Sequence, residues 1–307
     1  MIDFTNCKVD PYKAYSGANG QKICVWYDDA RYMLKFPPLA TRNKAMSYSN
    51  GCLSEYLACH IFASMGFNTQ ETLLGTYTMN DGRVKTVVAC KDFNVGSKRL
   101  IEFAQLKNTC INSEQNGYGT ELSSILTAIE EQQLIPAEKL RAFFWDMFIA
   151  DALLGNFDRH NGNWGLLVDE TAQTAEIAPI YDCGSCLFPQ LDPAQMEVVL
   201  HSEAEIDNRV FVFPASAVEE NGKKINYFQY ISSCKNQECT DALERVHARI
   251  DLDKINKIIA DTPSLTESQK DFYSIIIHER YTHIVEHTME MVQTHEQKEP
   301  DMGIQFL

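Results

Sequence analysis

The sequence is poor in basic residues and has no long apolar run. It has 27 Lys and Arg against 42 Asp and Glu, so the 307-residue chain carries a formal net charge of −15. Such an acidic surface repels nucleic acids and anionic lipids, and we expect no direct binding to either. No stretch approaches the roughly 18 apolar residues that span a bilayer, and residues 1–6 lack the features of a secretory signal. We therefore expect a cytoplasmic protein, with delivery to a host cell without such a signal as the alternative.

The sequence also lacks internal repeats, low-complexity segments and a cysteine pattern typical of zinc sites. The pair Cys183 and Cys186 has the spacing C-x-x-C, but no second pair follows at the spacing of a zinc ribbon. The ten cysteines lie mostly within apolar segments, which is typical of buried thiols in a reducing compartment. Apolar residues make up 45% of the chain and charged residues 22%, as expected for a packed globular protein.

The order of patterns along the chain predicts an α+β fold with two lobes. Hairpins at about 23–36 and 72–90 flank a helix that begins near residue 49, and these form a small β-rich N-lobe over residues 1–90. Residues 91–307 form a larger, mostly helical C-lobe, with helices at 122–133 and 136–155, a short hairpin at 164–180, and a capping box opening a long helix near 266. A site between two lobes is expected near the junction at residues 90–94.

Three polar residues of the C-lobe have the order that phosphoryl transfer requires. Asp158 and Asn163 are five residues apart in the segment D-R-H-N-G-N, and Asp182 opens a D-x-G motif that follows a predicted strand. In protein kinases one carboxylate accepts the proton of the acceptor hydroxyl, an amide oxygen five residues later binds Mg²⁺, and the D-x-G carboxylate bridges the metal to the phosphates. This spacing predicts a site for ATP and Mg²⁺.

The N-lobe supplies the remaining parts of this arrangement in the expected order. Lys35 lies on a strand, where it would bind phosphates, and Glu55 lies on the following helix, where it would pair with Lys35. The segment 16–20, with Ser16, Gly17 and Gly20, precedes the Lys35 strand as a phosphate-covering loop would, although it is neither a Walker A nor a G-x-G-x-x-G loop. Each feature alone is common in surface turns and helices, so the prediction depends on their joint order.

The motif D-R-H-x-x-N together with D-C-G resembles the HipA-like Ser/Thr kinase family, and the resemblance runs from the N-terminus to the last long helix. It implies a two-lobed, protein-kinase-like fold of the HipA C-terminal type. It also implies ATP and Mg²⁺ as cofactors and a protein hydroxyl as the phosphate acceptor. In this resemblance Asp158 is the catalytic base, His160 lies near the phosphates and takes part in catalysis with Lys35, and Asn163 and Asp182 hold the metal.

The same resemblance assigns roles to residues at the lobe junction and in the phosphate loop. Lys35 binds the ATP phosphates, Asp92 reaches the ribose, and Ala89 and Lys91 offer backbone groups to adenine. Ser16 is the positional candidate for autophosphorylation. A full HipA has an extra N-terminal subdomain, which we expect this chain to lack. An antitoxin or a host protein as partner is left open.

Two alternatives fit the same motifs. A lipid or small-molecule phosphotransferase shares D-R-H-x-x-N, which also occurs in phosphatidylinositol 3/4-kinases, but the sequence has no basic cluster for a membrane surface. A nucleotide-binding module without turnover, of the toxin-partner kind, is the second alternative. The intact set of Lys35, Asp158, Asn163 and Asp182 argues against it. The acidity favours basic protein substrates.

Overall fold

The computed structural model of the chain describes residues 1–15, 20–37, 48–112 and 115–296. It confirms the predicted α+β architecture, with a curled sheet at the front of the chain and a mostly helical remainder. Within the described residues, no helix is both long enough and apolar enough to cross a membrane.

A six-stranded sheet with the order β1-β5-β6-β4-β3-β2 forms the front of the molecule. Its strands are β1 (Ile2–Asp3), β2 (Lys8–Val9), β3 (Lys22–Tyr27), β4 (Ala30–Lys35), β5 (Thr72–Thr78) and β6 (Val84–Lys91). Both predicted hairpins are confirmed as the antiparallel pairs β3–β4 and β5–β6. The β3–β4 register places Lys22 opposite Lys35. Partners directly opposite on an antiparallel pair share one face of the sheet, so both lysines face the same side.

Helix α1 (Gly51–Ser64) crosses this sheet and buries one face against it. Its buried apolar residues include Leu57, Ile61 and Phe62, which belong to the main core. Gly66 follows the helix with a φ of +81°, the left-handed conformation that lets a chain turn away at a helix end. The helix thereby holds Glu55 at a fixed height above the sheet.

The rest of the chain is a helical assembly around one buried helix, α4. The helices are α2 (Phe103–Cys110), α3 (Leu122–Glu131), α4 (Ala137–Leu154), α5 (Pro193–Leu200), α6 (Glu203–Asp207), α7 (Tyr227–Ser232), α8 (Gln237–His247), α9 (Leu252–Asp261), α10 (Glu267–Arg280) and α11 (His287–Glu296). Within the residues that the structure describes, two π-helical turns occur, at Asn208–Val212 and Tyr281–Glu286, and the second joins α10 to α11. The predicted capping box is present at the start of α10, between Thr266 and Gln269.

The sequence pattern missed three strands among the described residues of this helical part. β7 (Lys98–Glu102) pairs with β8 (Gly165–Asp169), which pairs with β9 (Thr174–Ile177), so the predicted hairpin is the outer part of a three-stranded sheet. A second short pair is formed by β10 (Glu219–Glu220) and β11 (Lys223–Lys224). β7 was hidden because two of its five residues are exposed cations, which gives no apolar alternation.

Candidate active site

A cleft of about 490 Å³ lies between the sheet and the helical part, and most of the predicted site residues meet there. It is bordered by β3, β4, α1, the segment after β6, the loop after α4 and the turn that follows β9. The predicted residues that line it are Lys35, Glu55, Asp92, Asp158, His160, Asn163 and Asp182.

Lys35 joins the two sides of the cleft through two ion pairs. Its Nζ lies 2.8 Å from Glu55 Oε2 and 2.9 Å from Asp182 Oδ1. The attraction of Lys35 lowers the pKa of Asp182 to about 2, so this carboxylate is ionised throughout the physiological range. Burial disfavours the charged amine, but Asp182 and Glu55 together hold the pKa of Lys35 well above its ordinary value. The cleft therefore contains a fixed ammonium group facing an ionised carboxylate.

The turn around Asp182 is shaped to make these contacts. Asp182 has a φ of +53°, a left-handed conformation that Asp tolerates better than most residues. The next amide, of Cys183, donates to Glu55 Oε1 at 3.0 Å. A Cβ atom on Gly184 would approach Glu55 Oε2 to 3.2 Å, so the glycine of D-x-G leaves room for the Glu55 carboxylate.

The loop after α4 presents Asp158 to the same cleft. Gly155 ends the helix with a φ of +61°, and the Asn156 side chain accepts a hydrogen bond from the Asp158 amide at 3.1 Å. Asn163 Nδ2 donates to the Asp158 carbonyl at 2.8 Å, which fixes the amide orientation and leaves its Oδ1 for another ligand. In the described part of the chain, the hydrogen bonds of Asp158 are made by its own backbone amide and carbonyl, so the carboxylate stays open to the cleft. Burial raises the pKa of this carboxylate.

Arg159 holds the loop after α4 and the Asp182 turn together, a role that the sequence did not reveal. Its guanidinium pairs with Asp151, with Nε 3.0 Å from Oδ2, and donates to the carbonyl oxygens of Asn163 and Tyr181 at 2.9 and 2.6 Å. The side chains of Arg159 and Asp151 are 4% and 1% exposed. Because Tyr181 precedes Asp182, one buried arginine sets the distance between both predicted metal ligands.

His160 is ordered by its own loop. Its Nδ1 accepts a hydrogen bond from the Gly162 amide at 3.0 Å, which leaves Nε2 as the ring nitrogen that can face a ligand. A Cβ on Gly162 would lie 2.9 Å from the His160 ring and 3.0 Å from Tyr118, so this glycine allows the close approach of both rings.

The backbone groups predicted to bind adenine are paired within the protein. Ala89 lies in mid-strand, paired with β4 and β5, while the Lys91 amide donates to the Glu71 carbonyl and its carbonyl accepts from Gln70 Nε2. Neither Ala89 nor Lys91 is among the described residues that line the cleft. Pairing within the protein already uses these backbone groups, so the structure does not bring Ala89 and Lys91 to the cleft, and their contact with adenine stays a prediction.

Asp92 lies in the cleft as predicted, but its carboxylate has partners. Lys13 Nζ lies 2.9 Å from Oδ2, the Tyr15 hydroxyl donates to the same oxygen at 3.3 Å, and the Asn94 amide donates to Oδ1 at 2.9 Å. The segment before the phosphate loop is thus tied to the lobe junction. A ribose at this position would share the carboxylate with Tyr15 and Lys13.

The phosphate loop is only partly described. Gly20 has a φ of +73° just before β3. Ser16 and Gly17 lie outside the described residues, so their predicted roles stay predictions.

Lys22 is a cleft residue that motif matching passed over. It lines the cleft on the strand next to Lys35, and burial lowers its pKa. Lys22 directly precedes the predicted strand 23–27, and the observed β3–β4 register, which was not predicted, places it opposite Lys35.

Two oxygen ligands on this chain fit Mg²⁺. The described residues contain no group of three or more His, Cys, Asp or Glu placed to hold a metal ion. Mg²⁺ is usually bound through one or two carboxylates, with water and substrate phosphates completing its shell. The Asp182 carboxylate, with a side chain 44% exposed, and the free Oδ1 of Asn163 match that requirement.

Comparison with known proteins agrees with this geometry. The family model for the HipA-like C-terminal domain matches residues 15–258. The chain is 48% identical to the Ser/Thr protein kinase CtkA of Helicobacter pylori over 93% of its own length and 86% of the relative. It superimposes on the crystal structure of a Helicobacter pylori proinflammatory kinase CtkA with a TM-score of 0.89 and 47% identity, covering 96% and 98% of the two chains.

A more distant solved structure shares the fold alone. HipA of Shewanella oneidensis, in a complex with HipB and operator DNA, matches with a TM-score of 0.54 at 12% identity, over 92% of this chain and 70% of that one. The family model and the CtkA match together decide the classification. The chain belongs to the HipA-like family of Ser/Thr kinases.

Proposed function

We propose that the chain transfers the γ-phosphoryl group of ATP to Ser or Thr hydroxyls of a protein, with Mg²⁺ as the cofactor. One observation carries the proposal. Lys35 is paired with both Glu55 and Asp182, while Asp158 and Asn163 face the same cleft with a free carboxylate and a free amide oxygen. These are the parts that must be in place together in a protein kinase.

Each side chain has a distinct task in this proposal. Lys35 holds the phosphates, and Asp182 and Asn163 bind the Mg²⁺ that neutralises developing charge on the transferred group. Asp158 orients the acceptor hydroxyl and takes its proton, since its carboxylate is open to the cleft and its pKa is raised by burial. His160 and Lys22 also line the cleft, and in this proposal they add hydrogen-bond donors to the phosphates.

A protein acceptor is favoured over a lipid. The CtkA relative is named a Ser/Thr protein kinase, and the net charge of −15 opposes binding to anionic membranes. The same charge favours basic substrate proteins through long-range attraction. Autophosphorylation at Ser16 is a further part of the proposal, because Tyr15 and Lys22, which flank that segment in the sequence, both line the cleft.

The test is transfer of labelled γ-phosphate from ATP to a basic protein, a phosphoinositide and an aminoglycoside, with and without Mg²⁺. We expect labelling of the protein alone, dependent on Mg²⁺. Loss of a general base typically slows transfer by about 10²- to 10⁴-fold, and we expect this for Asp158→Ala. Asp271→Ala, an exposed residue on α10, is the matched control. Equal rates in the two variants would refute the role of Asp158, and preferential labelling of the lipid or aminoglycoside would refute the protein acceptor.

A further inference from the structure

A row of apolar side chains continues from the cleft onto the surface beside Asp158. We call it the acceptor-side strip, and it consists of Tyr48, Phe157, Val212 and Phe213. The ring centroids of Tyr48 and Phe157 are 6.0 Å apart, and those of Phe157 and Phe213 are 5.9 Å apart. Val212 and Phe213 are 63% and 40% exposed, which is high for large apolar residues. Single exposed apolar residues are common, but a contiguous row is typical of a binding surface.

The strip is firmly attached to the core below it. Phe188, which is 1% exposed, packs under Phe213 with ring centroids 6.1 Å apart. The Phe213 ring is thus supported from below while its outer face meets solvent. A supported aromatic ring loses little conformational freedom when a ligand covers it, which makes it an efficient contact.

The strip begins where the acceptor hydroxyl must lie. Phe157 directly precedes Asp158, and Tyr48 lines the cleft together with Asp158 and Ser185. A base must come within about 2.6–3.2 Å of the hydroxyl oxygen whose proton it takes. An extended chain advances about 3.3–3.6 Å per residue. A residue one or two positions from the acceptor therefore lies about 3–7 Å from it along the chain. The step from the Phe157 ring centroid to the Phe213 ring centroid is 5.9 Å, which falls in that range.

The charges near Asp158 do not extend along the strip. The groups that act on its carboxylate are His160, Asp182, Lys224 and Arg159. Of these, Asp182 belongs to the metal side of the cleft, Arg159 is buried, and Lys224 is an exposed residue of β11 that is not a member of the strip. Lys224 lies two positions from Asn226, whose Nδ2 donates to the Val212 carbonyl, so this exposed cation lies near the strip. The strip itself has no ionisable group apart from the Tyr48 hydroxyl, so burial of apolar surface is the interaction it offers a peptide.

We propose that the acceptor-side strip binds one large apolar side chain of the protein substrate, located within two positions of the phosphorylated Ser or Thr. This inference rests on the proposed kinase function and names a feature of its substrates. Long-range attraction by the acidic surface would bring basic proteins to the enzyme, and the strip would then select the site within them.

The test uses a peptide library with a fixed central Ser and varied residues at the two positions on each side. We expect enrichment of Leu, Ile, Met or Phe at one of these positions. For a matched pair of peptides with Leu or Ser at that position, we expect an about tenfold higher kcat/KM for the Leu peptide. Enrichment of Lys or Arg alone would overturn the proposal.

Two strip variants and one control identify the source of the preference. Phe213→Ser and Val212→Ser should each reduce the ratio of kcat/KM for the Leu peptide to kcat/KM for the Ser peptide. For Phe213→Ser we expect the two kcat/KM values to agree within about twofold. Val198→Ser, at a residue 66% exposed on α5, should keep the about tenfold ratio. Thermal melts establish whether each variant is folded. If Phe213→Ser does not fold, Val212→Ser alone tests the apolar preference. An unchanged ratio in a folded strip variant would overturn the proposal.

The kinase proposal and the strip proposal fail in different ways. A wild-type protein that labels no peptide and no protein refutes both. A wild-type protein that labels peptides with Asp158-dependent activity, but with no apolar preference, refutes the strip alone.

Discussion

Replacement of Asp151 by Asn should destabilise the protein far more than the loss of a solvent-exposed ion pair on the same helix. Asp151 accepts hydrogen bonds from Asn156 Nδ2 at 2.8 Å and from Arg159 Nε and Nη2 at 3.0 and 3.2 Å. An Asn side chain has one acceptor oxygen in place of two, and it carries no charge. The variant would leave the buried Arg159 guanidinium, 4% exposed, without a counter-ion.

The size of the effect follows from burial. Removal of one partner of a buried ion pair costs about 3–5 kcal/mol, because the remaining charge stays desolvated. A loss of 1 kcal/mol lowers Tm by about 2 °C in a large domain, so the variant should melt about 6–10 °C below wild type. Phosphate transfer should fall as well, since Arg159 also holds the carbonyl oxygens of Asn163 and Tyr181.

The matched control is Asp146→Asn, on the same helix α4. Asp146 pairs with Arg245 and Arg249, whose side chains are 44% and 33% exposed, so solvent screens these pairs. Pairs of this kind contribute about 0–1 kcal/mol each, and the expected loss in Tm is at most about 2–4 °C. Thermal melts followed by circular dichroism measure both variants. Equal losses would refute the reasoning, and so would full stability of Asp151→Asn.

A double variant separates charge burial from packing. Asp151→Asn combined with Arg159→Met removes both charges, and replacement of a buried pair by neutral groups is often tolerated. We expect the double variant to be more stable than Asp151→Asn alone, yet inactive, because the carbonyl contacts of Arg159 are gone. A strictly additive loss of stability would show that the two residues do not depend on one another.

Three further predictions concern the cleft. Lys22→Met should raise the KM for ATP several-fold with a smaller effect on kcat. The control Lys8→Met, on the exposed strand β2, should leave the KM for ATP unchanged. Equal KM values for the two variants would show that Lys22 does not contact the phosphates. Asp182→Asn should abolish the Mg²⁺-dependent rise in Tm with ATP, and a retained rise would exclude Asp182 as a metal ligand. Asp158→Asn should raise Tm at pH 7, because burial raises the pKa of Asp158 and the charged carboxylate therefore opposes folding. This gain in Tm should vanish below pH 3.8, the ordinary pKa of the side chain, where the carboxyl group is protonated in both the folded and the unfolded state. A gain in Tm that persists below this pH would contradict burial of the charge as its cause.

Local patterns in the sequence were enough to place the chemistry on the chain. The residues Asp158, Asn163 and Asp182 follow one another at a spacing set by the chemistry, and the structure brings them to one cleft with Lys35 and Glu55. The two hairpins and the α10 capping box also follow from short-range rules, because turns and caps depend on neighbouring residues.

Features that depend on distant partners could not be predicted in the same way. Arg159 lies inside the D-R-H motif, but nothing local shows that its partners are Asp151 and the carbonyl of Tyr181. The backbone groups of Lys91 pair with Glu71 and Gln70, which precede it by about 20 residues. The kinase motifs that assign these groups to adenine give no sign of this pairing. Strand β7 was missed because its pairing with β8 crosses more than 60 residues.

The two cleft carboxylates Asp158 and Asp182 differ because Lys35 pairs with only one of them. Lys35 lowers the pKa of Asp182 to about 2, so this group stays an anion and suits a cation ligand. Asp158 has no such partner, and burial raises its pKa, so it binds a proton more readily than an ordinary aspartate. Opposite shifts in one cleft are a common way to assign metal binding and proton transfer to chemically identical groups. If Lys35 were replaced by Met, Asp182 would lose the cause of its low pKa, and metal affinity and phosphate binding should fall together.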